Sequence, residues 1–242
     1  MVETSELYKE IMSVPHKTLT SLKVFLSNGV SVTYAYGALR SIRTSHAAFN
    51  GSSPMIGCCT SRKIDCVMLY PKEQIPERAK MQLFVQIAKL SDPTCVSDEI
   101  PQGTFYIDSR KSNITEGTRH LRIIGYDAII FAEADFDKTA FPFPAKDVDV
   151  VNHIAGVLGV SVDPETLSLM TAAYEIQPGE DEEFTYREML GYIAGMYGGN
   201  FVISKAGLLK LVPVWITLPE TNYLIDNVGN YITFGGGDRI ID

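Results

Sequence analysis

The sequence has no long hydrophobic run. No window approaches the roughly 18 consecutive apolar residues that a membrane span needs. The first residues, Met1 to Glu6, are acidic and have no apolar stretch behind them, so they do not resemble a signal peptide. We therefore expect a protein that is made in a cytoplasm and has no membrane partner.

Basic residues are also few, with 21 Lys and Arg against 29 Asp and Glu, and they are scattered along the chain. The net charge of -8 argues against a nucleic-acid surface, because such a surface needs a basic patch. No run of Lys and Arg is long enough for a polybasic membrane anchor. The composition therefore predicts no sequence-specific nucleic-acid partner.

Cysteine and histidine are scarce, and neither forms a metal-binding motif. The cysteines are Cys58, Cys59, Cys66 and Cys95, and the histidines are His16, His46, His120 and His153. Cys66 lies in an apolar run, where we interpret it as a small core residue. His153 lies between apolar positions of a predicted helix, where a structural role is the stronger interpretation. We expect no metal and no cofactor.

Motifs of catalysis are missing as well. The chain has no GxSxG elbow, no HExxH, no Walker loop and no GxGxxG, which predicts that it is not an enzyme and has no hydrolytic activity. The run Gly235 to Asp238 lacks the following helix that a phosphate loop needs, so we favour a β-turn. The acidic run Glu180 to Glu183 lacks the ligand pattern of a calcium loop, and a solvated face is favoured.

The 242 residues are enough for two domains, and 45% of them are hydrophobic. A short helix is expected at the start, capped by Thr4 or Ser5. After it, alternating and β-branched residues predict strands over 18–26, 29–34, 62–70, 80–87, 103–110 and 118–125. Asn28-Gly29 is a strong hairpin signal between the first two strands. This number of short strands is typical of a small barrel or sandwich.

After Gly125 the pattern changes to a helical period. One short helix is expected over Tyr126 to Glu133, and a second from an Asp147 cap to Gly159. A third begins at the capping box formed by Thr185 and Glu188. A hairpin over 200–213 and a β region from Tyr223 to Ile241 complete the prediction. The predicted fold class is α+β, with a β-barrel-like domain over 1–125 and an α+β region over 126–242.

Three glycines, Gly191, Gly195 and Gly199, are spaced by four, which predicts that they line one face of the third helix. Glycine inside a helix costs roughly 1 kcal/mol relative to alanine. Two interior glycines therefore favour the hypothesis that another segment packs very closely against this face. The alternative is a helix that is simply weak there.

Three stretches resemble prophage tail proteins related to the baseplate hub and tail-tip family. The first is Gly103-Thr104-Phe105-Tyr106-Ile107-Asp108 with Gly125-Tyr126-Asp127-Ala128 and Glu133. The second is Thr185-Tyr186-Arg187-Glu188-Met189-Leu190-Gly191-Tyr192-Ile193-Ala194 with Gly199-Asn200-Phe201 and Leu208-Leu209-Lys210-Leu211-Val212-Pro213. The third is Glu220 to Ile225 with Ile232 to Gly236 and Asp238 to Ile240. These motifs carry no catalytic residue, so they identify by pattern.

The resemblance implies a structural component of the virion tail in phages and prophages of Gram-positive bacteria. Such a protein closes the tail tube with a β-barrel tube domain and an inserted α+β domain, and it docks tip proteins. The implied partners are tail-tube, distal-tail and tip proteins, with self-association as a trimer in the assembled tail. The chain ends soon after Asp238-Arg239, where the resemblance implies that a second barrel follows. We therefore expect the isolated chain to be a monomer or weak oligomer.

Two other functions stay open at this point. A tail-associated cell-wall hydrolase would need a Cys/His site or a cleft with paired carboxylates, for which there is no motif. A receptor-binding or carbohydrate-binding module would present exposed aromatic residues on a β surface, and the 12 tyrosines allow that.

Overall fold

The computed structural model describes residues 4–35, 37–47, 55–139, 141–179, 183–214, 233–234 and 238–239. The chain opens with helix α1, Glu6–Met12, whose cap is Ser5: its side chain accepts a hydrogen bond from the Tyr8 amide. In this helix Ile11 is fully buried, whereas Leu7 and Met12 are exposed. No helix in the described part of the chain is long and apolar enough to cross a membrane.

A seven-stranded antiparallel sheet follows. Its strand order is β2-β1-β6-β7-β8-β5-β3. The strands are β1 His16–Phe25, β2 Ser31–Tyr34, β3 Leu39–His46, β5 Arg62–Leu69, β6 Lys80–Lys89, β7 Ile100–Thr115 and β8 Thr118–Tyr126. The six predicted strands are confirmed, with the predicted turn at Gly29, which has a φ of 79°. Strand β3 was not predicted, because its inward residues Leu39 and Ile42 are separated by polar residues and a bulge.

The sheet is curled but its hydrogen-bond ladder is open, since β2 and β3 are edge strands in the order above. The short connection between β2 and β3 joins these edges at one corner, and within it the Leu39 amide donates to the Ala35 carbonyl, four residues earlier, at 3.2 Å. In a flat seven-stranded sheet the two edges would lie about 29 Å apart, at about 4.8 Å per strand. The corner contact is therefore possible only because the sheet rolls up. Closure into a barrel, as predicted, is not confirmed.

Side chains from the inner face fill the curled sheet. One hydrophobic cluster spans the sheet, and Leu39 and Ile42 of the β3 edge pack against it. Its buried members are Leu22, Val24, Tyr34, Ile64, Cys66, Met68, Ile75, Ala79, Met81, Leu83, Phe105, Ile107, Leu121 and Ile123. Cys66 is completely buried in it, as predicted. The register shifts at three places, next to Arg40, Gln102 and Asp108, and such bulges bend strands and increase twist.

The region after the sheet is a layer of helices on a small sheet. It contains a 3-10 helix Ala128–Glu133, β9 Ala145–Lys146, α2 Asp147–Leu158, α3 Pro164–Leu169, β10 Glu175–Ile176, α4 Tyr186–Met196, β11 Gly199–Ile203 and β12 Leu209–Pro213. The β11–β12 hairpin confirms the prediction, with Gly207 at a φ of 83° in its loop. Strand β4, Cys59–Thr60, adds to the hairpin in parallel with β11. The mixed α+β class is confirmed.

Three details differ from the predictions. The first predicted helix is a 3-10 helix, which Asp127 caps by accepting from the Ile129 amide. Asp147 is not the cap of α2 but its first residue. It is fully buried and accepts a hydrogen bond from the Tyr197 hydroxyl at 2.5 Å, so a tertiary partner takes the oxygen that would otherwise cap the helix. Helix α3, with Asp163 as its cap and Pro164 at its first position, was not predicted.

Little of the predicted C-terminal β region is described. Strands β13, Thr233–Phe234, and β14, Asp238–Arg239, pair antiparallel, in keeping with the predicted β structure. The predicted turn at Gly235 to Gly237 and the acidic residues 180–182 lie outside the described residues. The division into domains at residue 125 stays a prediction.

Candidate functional site

A short stretch of chain between β3 and β5 leaves the sheet and enters the second region. We call residues 55–62 the linking segment. The Gly57 amide donates to the Gly199 carbonyl at 3.0 Å, and the Phe201 amide donates to the Cys58 carbonyl at 2.9 Å. The Cys58 amide donates to Oδ1 of Asn200 at 2.8 Å, and Nδ2 of Asn200 donates to the Met55 carbonyl at 2.9 Å. The segment is thus bonded to β11 residue by residue.

The carboxylate of Asp127 joins the linking segment to the start of the second region. It is 1% exposed and accepts hydrogen bonds from the Ser61 hydroxyl at 2.8 Å, the Arg62 amide at 2.8 Å and the Ile129 amide at 3.1 Å. The Asp127 amide in turn donates to the Arg62 carbonyl. Burial raises the pKa of this carboxyl, and the hydrogen bonds that it accepts partly offset that rise. One side chain therefore satisfies three donors from two separate stretches of chain.

The glycine face of α4 packs directly on the backbone of the linking segment. A Cβ at Gly191 would lie 2.7 Å from the Gly57 carbonyl oxygen, and a Cβ at Gly195 would lie 3.8 Å from the Gly57 Cα. The predicted close packing is therefore confirmed at Gly191, whereas Gly195 is exposed and a Cβ there would lie at an ordinary van der Waals distance. Gly199 is not on this face, because α4 ends at Met196 and Gly199 begins β11, where a Cβ would meet the Val212 carbonyl oxygen at 2.7 Å.

Arg187, on the first turn of α4, contacts both the 3-10 helix and the linking segment. We call the place where these elements meet the junction. One guanidinium nitrogen lies 2.9 Å from a carboxylate oxygen of Glu133, and another donates to the Cys59 carbonyl at 3.3 Å. Its Nε is buried without a hydrogen-bond partner among the described residues. Because Glu133 is 60% exposed, the ion pair contributes little to stability by itself. The side chain mainly fixes where α4 begins relative to the linking segment.

The capping box at the start of α4 is confirmed. The Glu188 amide donates to the Thr185 hydroxyl at 3.2 Å, and the Thr185 amide donates to the Glu188 carboxylate at 2.7 Å. The pKa of the Glu188 carboxyl is lowered by the hydrogen bond that it accepts from the Thr185 backbone amide and, to a smaller extent, by the one from the Thr185 hydroxyl. The cap anchors the helix end that carries Arg187.

Gly125 and Tyr126 end the last strand of the large sheet, next to the junction. A Cβ at Gly125 would lie 2.6 Å from the Tyr106 carbonyl oxygen, so glycine permits the close approach of β7 and β8. Tyr126 pairs with Lys63 on one side and Tyr106 on the other. Tyr106 packs edge-on against Phe131 of the 3-10 helix, with ring centroids 4.7 Å apart.

The motif residues selected from the sequence thus surround one stretch of chain that the sequence did not indicate. Gly57 and Arg62 were missed, and Asn200 was quoted only as part of a motif, although all three are central. Arg62 is 8% exposed, donates to the Gln102 carbonyl at 2.7 Å and lies over the Phe105 ring. Asn200 follows Gly199 within a selected motif and could have been found there. No local pattern marks Gly57, since its contact is with a helix more than 130 residues away.

The side chains at the junction hold segments of the chain together and are not arranged for catalysis. We therefore call the junction a structural joint. The Asp127 and Asn200 side chains are engaged with backbone groups or with a hydroxyl. Burial raises the pKa of the Cys59 thiol to about 12, which leaves it protonated and a poor nucleophile. Within the described ranges, no group of three or more His, Cys, Asp or Glu side chains could hold a metal ion. His153 packs against Phe141, Phe136 and Tyr186, and its Nε2 is buried without a hydrogen-bond partner among the described residues.

No family model and no curated protein matches the sequence. Among solved structures, the 43 kDa tail protein of prophage MuSo2 from Shewanella oneidensis is similar with a TM-score of 0.52 and 14% identity, over 83% of this chain and 57% of that one. The tail protein from Neisseria meningitidis MC58 is similar with a TM-score of 0.50 and 14% identity, over 90% and 56% of the two chains. This chain spans little more than half of each. It therefore shares its fold with a large part of two solved tail proteins, one of them from a prophage.

Proposed function

We propose that this protein is a non-enzymatic structural component of a phage-type tail. The observation that carries the proposal is the common fold with two tail proteins over at least 83% of the chain. The sequence motifs point the same way, since they resemble tail hub and tip proteins and surround a structural joint. Likeness of fold alone does not assign function, so the proposal also rests on the nature of that joint.

Within the tail, we propose a position in the hub or tip, closing the tube. The curled seven-stranded sheet, whose edges meet between Ala35 and Leu39, supports a barrel-like tube domain. A tube domain must keep its side surfaces in fixed positions against its neighbours, because closed symmetry fixes the angle between copies. The buried joint at Asp127 and Gly191 supports such rigidity.

The proposed partners are copies of the chain itself, arranged as a trimer, with tail-tube or distal-tail proteins above and tip proteins below. The proposed location is the virion tail of a phage or prophage of Gram-positive bacteria. A second barrel, contributed by further chain or by a partner, would complete a ring of six barrels.

Electron microscopy of intact particles from a host that carries the gene tests this assignment. Particles labelled with an antibody to this protein should show label at the tail end and none on the head. A reconstruction should show three copies there. Label on the head, or a ring of six copies along the tube, would contradict the hub assignment.

The rival functions can be tested on the purified chain. A tail-associated hydrolase would clear peptidoglycan or cleave a peptide substrate, and we expect no cleavage. A carbohydrate-binding module would retain cell-wall polysaccharide, and we expect no retention. Three of the most exposed tyrosines are Tyr70, just after β5, Tyr174, in a loop, and Tyr192, in α4. These three therefore do not form a binding platform on the sheet.

A further inference from the structure

The register of the large sheet gathers basic residues that are far apart in the sequence. Strand β5 pairs with β3 and β8, and β8 pairs with β7, so residues directly opposite one another share a face. Ser41, Val67, Arg122 and Lys111 form one such row. Arg43 and Asp65 stand in the next row, followed by Ser45 and Lys63. All of these point away from the core, because Cys66, Leu121 and Ile123 between them point inward.

A fifth basic residue, Arg40, joins this face through a bulge. Pairing skips from Leu39 to Ser41, and Arg40 is the unpaired residue. A bulge of this kind re-aims a side chain. A groove on the face is lined by Arg40, Val67, Lys111, Asn113, Thr115, His120 and Arg122, without a carboxylate among them. We call Arg40, Arg43, Lys63, Lys111 and Arg122 the basic face.

Asp65 is the acidic residue within the basic face, and its contacts show that these cations can bind a carboxylate. Nε of Arg122 donates to one of its carboxylate oxygens at 2.9 Å, and Nη2 donates to the other at 2.5 Å. These hydrogen bonds, followed by the charges of Arg122, Lys63 and Arg43, lower the pKa of Asp65 against the opposing effect of desolvation. Asp108, the unpaired residue at the β7 bulge, is exposed three residues before Lys111, and Glu116 lies at the tip of the β7–β8 hairpin. The face therefore keeps an excess of positive charge.

The rest of the chain has the opposite charge. Residues 1–125 contain 15 Lys and Arg against 11 Asp and Glu, whereas residues 126–242 contain 6 against 18. The net charge of -8 thus conceals a basic sheet region at +4 and an acidic second region at -12. Every other copy of this chain therefore carries an excess of acidic residues, opposite in sign to the basic face.

Part of that acidity lies along one exposed strip. Residues 133–137 run beside residues 183–186: Asp135 bridges to Thr185, and the Phe136 amide donates to the Phe184 carbonyl. Asp135, Asp137 and Glu183 are exposed on these two stretches, and we call them the acidic strip. The neighbouring bases are Lys138, which donates to the Gly179 carbonyl, and Arg187, which pairs with Glu133.

We infer that the basic face of one copy docks on the acidic strip of a second copy. This inference rests on the proposed function, in which identical copies form a ring in the tail. Two different surfaces meet in such a contact, and contacts of that type build rings. Arginine suits it because its guanidinium binds carboxylates in a bidentate fashion, as Arg122 does with Asp65.

A nucleic acid is a weaker candidate for the same face. The groove residues include no Phe, Tyr or Trp on which bases could stack, and Tyr126, the cross-strand neighbour of Lys63, lies outside the groove. The acidic second region would also repel a polyanion that approached the molecule. DNA binding at the basic face therefore becomes an outcome that overturns the inference.

Sedimentation velocity of the full chain tests the contact. Wild-type protein should self-associate at about 20 mM salt and dissociate at about 500 mM, because salt screens exposed charges. The face variant, Arg43→Glu with Lys111→Glu, should weaken association at least about tenfold, as should the strip variant, Asp135→Lys with Glu183→Lys. A control with the same charge change away from the face, Lys72→Glu with Arg78→Glu, should associate like wild type. Circular dichroism should show all three folded.

Mixing the two defective variants gives the decisive result. The face variant keeps its acidic strip and the strip variant keeps its basic face, so together they should form a 1:1 complex although neither self-associates. A wild-type chain that stays monomeric at low salt, or a mixture without complex, overturns the inference. So does fluorescent DNA that binds wild type but not the face variant. The tail assignment would survive any of these results if particles still carry the protein at the tail end.

Discussion

The two regions of the molecule reach a folded core by different routes. The curled sheet packs on itself, and its cluster draws on strands and on one loop within residues 22–123. The second region has helices on a hairpin, and it borrows β4 and the buried Cys59 from the linking segment. The sheet is therefore closer to self-sufficient than the second region, which is incomplete without residues that precede it by more than 60 positions. Removing the joint should affect the second region first.

The largest effect is expected from Asp127→Ala. The substitution leaves three donors without their acceptor, two of them buried backbone amides, and each such loss costs about 1–3 kcal/mol. We expect a loss of roughly 3 kcal/mol or more in the free energy of unfolding, measured by urea denaturation. Asp127→Asn, which keeps one oxygen, should lose less. Asp149→Ala, at an exposed position, is the control. An equal effect of Asp149→Ala and Asp127→Ala would contradict the claim that Asp127 stabilises the fold.

The glycine face separates tight packing from loose packing on one helix. Gly191→Ala should destabilise, because its Cβ would lie 2.7 Å from the backbone oxygen of Gly57 and overpacking costs about 1–3 kcal/mol. Gly195→Ala has room at 3.8 Å and should gain up to about 1 kcal/mol of helix propensity. Gly195→Leu is too large for the contact and should destabilise. Melting temperatures decide this, and a stabilised Gly191→Ala variant would refute the close contact.

A smaller loss is expected at the start of α4. Thr185→Ala removes the side chain that caps the helix, which should cost about 1 kcal/mol in a denaturant titration. Thr185→Ser keeps the hydroxyl and should behave like wild type. Equal losses in both variants would show that the cap does not stabilise the fold.

The cysteines report on each region without changing stability much. Burial raises the pKa of Cys59 in the second region, and of Cys66 in the sheet, to about 12, so both should resist a thiol reagent while Cys95 reacts. In a Cys95→Ser background, Asp127→Ala should accelerate labelling of Cys59 more than labelling of Cys66. Mass spectrometry of labelled peptides measures both rates. Equal acceleration would mean that the two regions open as one unit.

The predictions from sequence succeeded where structure is local. Alternating apolar residues predicted six strands, and Asn28-Gly29, Gly159 and the Thr185–Glu188 box were correctly interpreted as turn, stop and cap. They failed where a distant group intervened. Asp147 has the side chain of a cap, yet it lies buried against the Tyr197 hydroxyl. Gly199 has the helical spacing, yet it pairs with β12 and begins strand β11.

Charge shows most clearly the difference between what local patterns predict and what long-range contacts decide. The basic residues were interpreted as scattered, and along the chain they are, from Arg40 to Arg122. Counting charge separately before and after residue 125 would have revealed the opposite signs of the two regions. That five cations share one face could not have been deduced, because it depends on the register of four strands and on the bulge at Arg40.

The sequence by itself determined the α+β class, most strands and the ends of the longer helices, because these follow from side-chain periodicity and from hydrogen bonds between near neighbours. The tertiary structure alone decided that the motif residues meet around Gly57 and that the sheet rolls up, because the pairing of β1, β5, β6, β7 and β8 sets its curvature. It also decided that the cations of β3, β5, β7 and β8 form one surface. Each of these depends on contacts between residues far apart in the chain, which local patterns do not encode.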